Sequence, residues 1–407
     1  MSAQQERPAE TSEPSAGTGD LAEAALAGRY RGLPDYPLGD IPRVKEELRS
    51  RGVEVIDLGA GDPDLDVPEA ARSALKRAAD DPELQGYAFQ RGLPAFRESV
   101  ADFMERRFGR RPDPDGELLP LVGSKEGIAH FAFTVLDPGD RVLVPDPGYA
   151  PYFGGSYMAG ATVERVELRA EHDFRVPPET IRDAGDGLKL VYLNYPNNPT
   201  GACVDRGYLA RAVEACADRG AVLLYDHAYS EIAFDGYRPP GLLEVPGGSE
   251  VGIEFHSLSK TFNMTGWRLG WAAGSATLVR ALSRVKSFFD TGAYLPIQAA
   301  GAEALDRIDE FLPEHRETVR ERRDAAVRAF RDAGFEAEPP RATLYLWMPV
   351  PTDEPSADFT RRVLEETGVV LMPGSALGDG GEGYVRAALT VPEARLREAG
   401  RRIGTIL

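Results

Sequence analysis

The stretch Ser257-Leu258-Ser259-Lys260-Thr261-Phe262-Asn263-Met264-Thr265-Gly266-Trp267-Arg268-Leu269-Gly270 carries the strongest chemical signal of the chain. It sets Lys260 among hydroxyl side chains, with Arg268 eight residues downstream. Lysine is scarce, because only six of the 47 basic residues are lysine. An amine that forms a Schiff base has to lose its proton, which arginine cannot do. The stretch therefore predicts an amine that reacts with a phosphate-bearing aldehyde, although a surface lysine before a helix has the same local pattern.

Length and charge limit the classes of function. With 407 residues, 42% of them apolar, the chain is long enough for a large core in two lobes. The 65 acidic residues outnumber the 47 basic ones and give a formal net charge of -18. Such a balance disfavours binding to nucleic acid or to an anionic membrane surface. We expect neither as a partner.

Cysteine content and hydropathy point to a cytoplasmic protein. The two cysteines, Cys203 and Cys216, provide neither a disulfide framework nor a metal-ligand spacing, and no metal is expected. The chain has no apolar run of about eighteen residues, so no membrane span is predicted. The first 20 residues lack the apolar region of a signal peptide. Residues 1–29 are rich in small and polar residues and are predicted to form a disordered tail.

From position 118 onward, short apolar strands alternate with amphipathic helices. Helices are predicted over 125–136 and 207–219, among others. This alternation is typical of a mostly parallel sheet that is covered by helices on both faces. Further strands at 344–350, 369–372 and 384–389, with a helix at 313–333, indicate a smaller C-terminal α/β lobe. The predicted strands of the large sheet are Leu118–Val122, Arg141–Pro145, Thr162–Val166, Lys189–Asn194, Ala221–Tyr225, Gly252–Ser257 and Arg268–Ala273.

Polar groups follow the ends of these strands, where ligands bind in open α/β sheets. Gly123-Ser124-Lys125 opens a helix and offers backbone N–H groups to an anion, although the same pattern is common as a plain helix cap. Asn198 lies in a turn-like Asn-Pro-Thr-Gly segment that offers an amide.

Asp226 ends an apolar strand, and Tyr229 follows three residues later. A buried carboxylate needs a cation such as a protonated pyridine nitrogen, unless it serves only as a helix cap. Lys260 follows the next strand, and Arg268 is predicted to open the one after it. An anion cradle, an amide, a carboxylate, an amine and a guanidinium together match what pyridoxal phosphate requires.

These motifs resemble the class I/II aminotransferases of pyridoxal-phosphate fold type I, from about Tyr30 to the C-terminus. The resemblance implies that Lys260 is the Schiff-base lysine and that Asp226 pairs with the pyridine nitrogen. It also implies cofactor contacts for a wider set of residues. The phosphate would be held by Gly123, Ser124, Lys125, Ser257 and Arg268, the phenolic oxygen by Asn198 and Tyr229, and the ring face by Tyr149.

The resemblance also implies substrate and subunit contacts. Arg386 would bind the substrate α-carboxylate, with Gly61 and Asn198 beside it. Tyr87 would reach the cofactor phosphate of a neighbouring subunit, which implies a homodimer. Contact with the distal end of the substrate is open among Lys125, Tyr36, Tyr152 and Arg91.

The expected protein is a fold type I transferase with a large domain at 71–300, built on a mostly parallel seven-stranded sheet. A small domain at 301–407 is joined by an N-terminal segment at 30–70. The motifs look most like those of LL-diaminopimelate aminotransferases. The expected reaction is therefore transfer of the amino group of LL-diaminopimelate to 2-oxoglutarate. Alanine, aspartate or aromatic aminotransferases remain alternatives, as does a carbon–sulfur β-lyase on the same scaffold. A non-enzymatic sensor fused to a DNA-binding module is disfavoured, because too few residues precede the domain.

Overall fold

A seven-stranded sheet lies at the centre of the computed structural model, which describes residues 18–33 and 41–407. Strand β8 runs antiparallel to both of its neighbours, and all other neighbouring pairs are parallel. The fold class predicted from the sequence is therefore confirmed. In spatial order, numbered along the chain, the strands are β2 (Leu118–Leu121), β8 (Gly270–Gly274), β7 (Gly252–Ser257), β6 (Val222–Asp226), β5 (Leu188–Asn194), β3 (Arg141–Asp146) and β4 (Thr162–Glu167).

The chain divides into two compact units, Met1–Asp35 and Tyr36–Leu407. The first unit contains helices α1 (Thr18–Ala25) and α2 (Gly28–Arg31), where a disordered tail was expected; residues 1–17 and Tyr36 lie outside the described residues. Alanine and leucine favour a helix in this segment. The helices of the second unit are α3 (Ile41–Ser50), α4 (Glu69–Ala79), α5 (Pro94–Phe108), α6 (Ser124–Val135), α7 (Ala150–Met158), α8 (Pro178–Arg182), α9 (Arg206–Arg219), α10 (Gly248–Val251), α11 (Leu258–Thr261), α12 (Ala276–Lys286), α13 (Leu295–Asp306), α14 (Ile308–Asp332), α15 (Ser356–Thr367) and α16 (Glu393–Ile403).

Apart from the edge strand β4, which is partly exposed, the strands of the central sheet are buried on both faces, as their apolar sequences predict. Successive side chains of β5 point to opposite faces, so Leu190 and Tyr192 pack in one apolar cluster while Val191 and Leu193 pack in another. Helices α6 and α12 cover the first face, and α8 and α9 cover the second. Two buried faces hold the strands rigidly, so the residues at the strand ends keep fixed positions.

A second, smaller sheet is built mainly from the C-terminal part of the chain. Strand β12 (Tyr384–Ala388) lies between β9 (Tyr345–Pro349) and β11 (Met372–Pro373) in antiparallel order. Strand β1 (Ile56–Asp57) pairs in parallel with β10 (Val369–Val370), which brings the N-terminal segment to this side. Helices α14, α15 and α16 bury their apolar faces here. The domain boundaries at 70/71 and 300/301 stay predictions.

Three elements differ from their predicted bounds by more than one residue at an end or are divided in two. The strand expected at 369–372 is split into β10 and β11, which belong to different sheets. Helix α14 begins at Ile308 and includes Pro313, where proline was expected to start it. Arg268 was expected to open a strand, but its φ of 55° is left-handed and it follows a 3-10 turn, so β8 begins at Gly270.

The topology brings the predicted site residues to one edge of the sheet. Parallel strands β3, β5, β6 and β7 all end at the same edge. Because β8 is antiparallel, its beginning lies at that edge too, and Arg268 remains next to the other site residues despite the later start of the strand. Among the helices of residues 18–33 and 41–407, none has both the length and the apolarity needed to cross a membrane.

Candidate active site

A cavity of about 330 Å³ opens at this edge, between the large sheet and the small one. Most of the site residues predicted from the sequence line it together. They are Gly61, Ser124, Lys125, Tyr149, Asn198, Asp226, Tyr229, Ser257, Lys260, Arg268 and Arg386. Gly123 precedes the lining residue Ser124, whereas Tyr87 does not line the cavity.

Lys260 projects from the short helix α11 into the cavity. Its Nζ donates a hydrogen bond to the backbone oxygen of Gly61 at 2.5 Å. Behind it, His315 Nε2 lies 3.3 Å from the Lys260 carbonyl oxygen. Burial lowers the pKa of His315 to about 4, so this imidazole is neutral at pH 7 and adds no positive charge beside the amine. A lysine amine in a partly buried cavity is suited to attack a carbonyl carbon.

Asp226 is a buried carboxylate at the end of β6, with only 4% of its surface exposed. Its Oδ2 accepts a hydrogen bond from the Tyr152 hydroxyl at 2.6 Å, and its Oδ1 accepts one from the Ala228 N–H at 3.3 Å. Burial raises its pKa to about 6, because these two hydrogen bonds only partly offset the loss of water. No cationic side chain in the described part of the chain pairs with this carboxylate, and a protonated pyridine nitrogen would supply such a partner.

Tyr152 is a site residue that the sequence reasoning assigned elsewhere. It was one of four candidates for contact with the distal end of the substrate, and its hydroxyl donates a hydrogen bond to Asp226. Burial and the Asp226 charge both raise the pKa of Tyr152, which keeps the phenol protonated and donating. The two residues lie 74 positions apart, on α7 and β6, and no local pattern connects them.

Arg268 and Ser124 line one side of the cavity, and Gly123 lies directly behind them. Gly123 has a φ of 77°, and a Cβ at this position would collide with the Arg268 guanidinium. Arg268 is fixed by a hydrogen bond from its Nη1 to the Thr265 oxygen at 2.7 Å. Next to it, the Ser257 hydroxyl accepts a hydrogen bond from the Ser259 N–H at 3.2 Å. A guanidinium, a hydroxyl and the first N–H groups of α6 together are suited to bind a phosphate.

Arg386 enters the cavity from β12 of the small sheet and is 4% exposed. Its Nη1 donates to Asn198 Oδ1 at 2.8 Å, and its Nη2 donates to the Gly59 oxygen at 2.7 Å. Its Nε is buried and has no hydrogen-bond partner among residues 18–33 and 41–407. A guanidinium held in this way keeps capacity for an incoming carboxylate.

Tyr229 contacts Tyr345 of β9, a site residue that was not predicted from the sequence. The two hydroxyl oxygens lie 2.9 Å apart. Tyr345 also lines the cavity, together with Met372 and Leu377. Tyr149 lies near Lys125, whose Nζ is 6.0 Å from the centre of the tyrosine ring.

The residues present fit pyridoxal phosphate. Gly123 leaves room for the Arg268 guanidinium at the phosphate cradle, and buried Asp226 needs a cation. An amine, Lys260, and a carboxylate-binding group, Arg386, stand in the same cavity. Each chemical part of the cofactor thus has a matching group on the protein.

Comparisons with known proteins agree with this geometry. Residues 53–403 match the family described as aminotransferase class I and II. An LL-diaminopimelate aminotransferase of Desulforudis audaxviator is 47% identical over 382 residues, which cover 93% of this chain and 96% of that protein.

Two solved structures have the same fold. A probable N-succinyldiaminopimelate aminotransferase of Thermus thermophilus is 37% identical, with a TM-score of 0.84 over 90% of this chain and 99% of that one. A mutant aspartate aminotransferase of the same organism is 29% identical, with a TM-score of 0.88 over 94% of this chain and 100% of that one.

The burial of Asp226 predicts that Asp226→Asn stabilises the cofactor-free protein above pH 6. A carboxyl whose pKa rises from 3.8 to about 6 on folding binds its proton more tightly in the folded state. Stability therefore falls as pH rises from about 4 to about 6 and stays low above that. The difference in stability between the variant and the wild type approaches about 3 kcal/mol at pH 8, falls below about 1 kcal/mol at pH 4 and vanishes below about pH 3. Thermal unfolding of both cofactor-free proteins across this pH range measures it.

Asp146→Asn is the matched control. Asp146 also ends a parallel strand and is 3% exposed, but it has partners in Arg165 Nη1 and the Gly380 N–H, both at 3.0 Å. Removing its charge is expected to lower the melting temperature at pH 8. A cofactor-free Asp226→Asn protein that melts below the wild type at pH 8 would contradict the argument.

Proposed function

The chain belongs to the class I and II aminotransferase family, and from this premise we propose that it transfers the amino group of LL-diaminopimelate to 2-oxoglutarate. It is an enzyme that depends on pyridoxal phosphate and moves amino groups between amino acids and 2-oxo acids. The observation that carries the choice of donor is the 47% identity with a relative named LL-diaminopimelate aminotransferase. The amino-acid sequences of the motifs around Gly123 and Lys260 support the same donor.

We assign the cofactor contacts as the sequence predicted them. For the phosphate, we assign the backbone N–H groups of Ser124 and Lys125, the Ser257 hydroxyl and the Arg268 guanidinium, next to Gly123. Asn198 and Tyr229 lie at the end of the sheet, where an amide and a phenol can donate hydrogen bonds to the phenolic oxygen of the cofactor. Tyr149 lies on the wall of the cavity, where it can stack on a flat ring.

Three charged groups carry the chemistry of the proposed reaction. When bound, pyridoxal phosphate takes up the amino group of the substrate and stores the electrons released at its Cα. Arg386 orients the substrate by its α-carboxylate, and Lys260 accepts the Cα proton and delivers it again. Asp226 holds a proton on the ring nitrogen, since its buried charge is stable only beside a cation.

Lys125 is the residue we assign to the distal carboxylate of diaminopimelate. It is exposed at the mouth of the cavity, which it lines. Of the other candidates, Arg91 is paired with Asp115 outside the cavity lining, and Tyr152 is bonded to Asp226. A side-chain ammonium at the mouth provides the charge that a second carboxylate needs.

We also propose a homodimer in which Tyr87 completes the site of the partner subunit. Tyr87 and Phe89 are 70% and 72% exposed, beside a second exposed aromatic segment. The two segments are joined by hydrogen bonds from Gln90 Nε2 to the Asp290 oxygen and from the Tyr294 hydroxyl to Gln85. The second segment comprises Phe288, Phe289 and Tyr294, which are 85%, 56% and 45% exposed. Large exposed aromatic patches are typical of protein interfaces.

A cytoplasmic location is part of the proposal. Cys203 and Cys216 are both buried as free thiols, and burial raises the pKa of both, to about 11 and about 12. Unpaired, unreactive thiols are typical of proteins in a reducing compartment.

Lys260→Ala is expected to lower turnover by about a thousandfold or more, because the variant loses the group that carries the Cα proton. The visible absorption of the lysine-linked cofactor should disappear as well. Borohydride treatment of the wild type, followed by mass spectrometry, should find the added cofactor mass on the peptide with Lys260. Lys189→Ala, at an exposed position of β5, is the control and should retain turnover and colour. Modification at another lysine would refute the assignment.

LL-diaminopimelate is expected to convert the bound cofactor to its amine form faster than alanine, aspartate, phenylalanine or N-succinyldiaminopimelate. The measurement is a single-turnover spectral assay with each donor. Lys125→Met should lower the apparent affinity for LL-diaminopimelate by about tenfold to a hundredfold, because one charged contact is lost. The affinity for alanine should not change. Arg91→Gln should change the apparent affinity for neither donor. Equal rates for LL-diaminopimelate and alanine would contradict the proposed donor.

The protein is expected to sediment as a dimer, and Phe288→Asp should shift it toward monomer and release cofactor. A buried charge in an apolar interface is strongly destabilising. Tyr87→Phe should keep the dimer but weaken cofactor binding by about tenfold, because one hydrogen bond to the phosphate is lost. Leu407→Asp, at an exposed apolar position outside the patch, is the control. Analytical ultracentrifugation and cofactor titration measure both effects, and a wild-type monomer would refute the dimer.

A further inference from the structure

Tyr345 connects two residues to which the proposed function gives different roles, Tyr229 and Arg386. It lies at the start of β9, is 3% exposed, and lines the cavity. Its hydroxyl oxygen is 2.9 Å from that of Tyr229. The guanidinium carbon of Arg386 lies over its ring, 4.2 Å from the centre. Tyr345 therefore contacts both the phenol assigned to the cofactor and the guanidinium assigned to the substrate.

The close approach of Tyr345 depends on a glycine. A Cβ on Gly61 would collide with the Tyr345 hydroxyl, so no other residue fits here without displacing it. The carbonyl of Gly61 also accepts the hydrogen bond from Lys260 Nζ. The hydroxyl, the lysine amine and the guanidinium are thus gathered around one short backbone segment.

The charges around the two tyrosines differ. Burial alone would raise the pKa of Tyr345, but the positive charges of Arg386 and Lys260, with the hydrogen bond to Tyr229, lower it below its ordinary value. The pKa of Tyr229 is raised by burial and by Tyr345, although Arg386 opposes this, and the Asp226 charge adds to the rise. Of the pair, Tyr345 is the stronger acid and hence the better hydrogen-bond donor.

The direction of the hydrogen bond between Tyr229 and Tyr345 is fixed when Tyr229 also binds a negatively charged oxygen in the cavity. Tyr229 then donates its only proton to that oxygen, and its own oxygen is left as an acceptor toward Tyr345. Tyr345 must therefore donate to Tyr229. Hydrogen bonds in such a chain strengthen one another, so a better donor at Tyr345 makes Tyr229 a better donor as well.

We propose that Tyr345 is a positioning residue that couples the occupancy of Arg386 to the hydrogen bond which Tyr229 donates to the cofactor. This inference rests on the roles assigned to Arg386 and Tyr229 in the proposed function. In the absence of substrate, the charge of Arg386 polarises Tyr345 and strengthens the chain. A carboxylate on Arg386 neutralises that charge, weakens the chain and makes the bound cofactor more basic. Binding of a substrate carboxylate thereby favours the protonated form of the cofactor.

The test is a pH titration of the visible absorption of the holoenzyme, with and without glutarate as an unreactive carboxylate. In the wild type, glutarate should raise the midpoint. Tyr345→Phe, which keeps the ring but removes the hydroxyl, should raise the midpoint without glutarate by roughly half to one pH unit, the effect of one hydrogen bond. In this variant, the increase in the midpoint on adding glutarate should be at most half of the increase in the wild type.

A second variant separates the ring from the hydroxyl. Tyr345→Phe should bind glutarate with an affinity within about twofold of the wild type, since the ring still faces Arg386. Tyr345→Leu removes this contact and should weaken glutarate binding several-fold, in line with a partly desolvated cation–π contact. A purely structural role would change the melting temperature but would not divide the two readouts in this way.

Tyr208→Phe is the matched control, because Tyr208 is 4% exposed and its hydroxyl donates to the Val176 oxygen at 2.7 Å, away from the cavity lining. Its titration should match the wild type. Tyr229→Phe is titrated in parallel. A shifted midpoint in Tyr229→Phe with a wild-type titration in Tyr345→Phe would overturn the coupling and leave the proposed function intact. Wild-type titrations in both variants would overturn the role of Tyr229 together with the coupling.

Discussion

The buried carboxylate of Asp226 is the constraint on which the rest of the site depends. It stands at the end of a strand that is apolar on both faces, and its hydrogen-bond partners among the described residues are the Tyr152 phenol and the Ala228 N–H. Charge in such a place is unstable unless a cation joins it. The protein thus reserves a position for a cation it does not supply itself. Tyr152 prepares this position, because it keeps its own proton and fixes one carboxylate oxygen.

A second constraint is the backbone segment at 59–61, which both sheets use. Arg386 of the small sheet donates to the Gly59 oxygen, and Lys260 beside the large sheet donates to the Gly61 oxygen. The two cations are held apart by carbonyl groups on a segment that has no room for side chains at Gly61. Within the residues that the structure describes, neither cation is paired with a carboxylate that would neutralise it. The site keeps its positive charges available for ligands.

The sequence predicted the parts of the site that follow from local order along the chain. Asp226 and Lys260 come directly after strands, and a parallel sheet brings such positions to one edge whatever the loops do. Tyr345 and Tyr152 were not assigned their contacts, because each meets its partner across more than 70 positions and neither lies in a recognisable turn. Arg268 was placed on a strand because its neighbours are apolar, and only the left-handed backbone at that residue moves the strand start to Gly270.

The charge of the cavity opposes the charge of the whole chain. Among the lining residues, Lys125, Lys260, Arg268 and Arg386 are cationic and Asp226 alone is acidic, whereas the chain carries a net charge of -18. An acidic surface repels anions at long range, but salt screens this repulsion within about 10 Å, while field lines concentrate in a partly enclosed cavity. Ligands with two or more negative groups gain most from such a cavity, since each group finds its own cation. A phosphate-bearing cofactor and a dicarboxylic amino acid or 2-oxo acid meet that condition, whereas a neutral amino acid uses Arg386 alone.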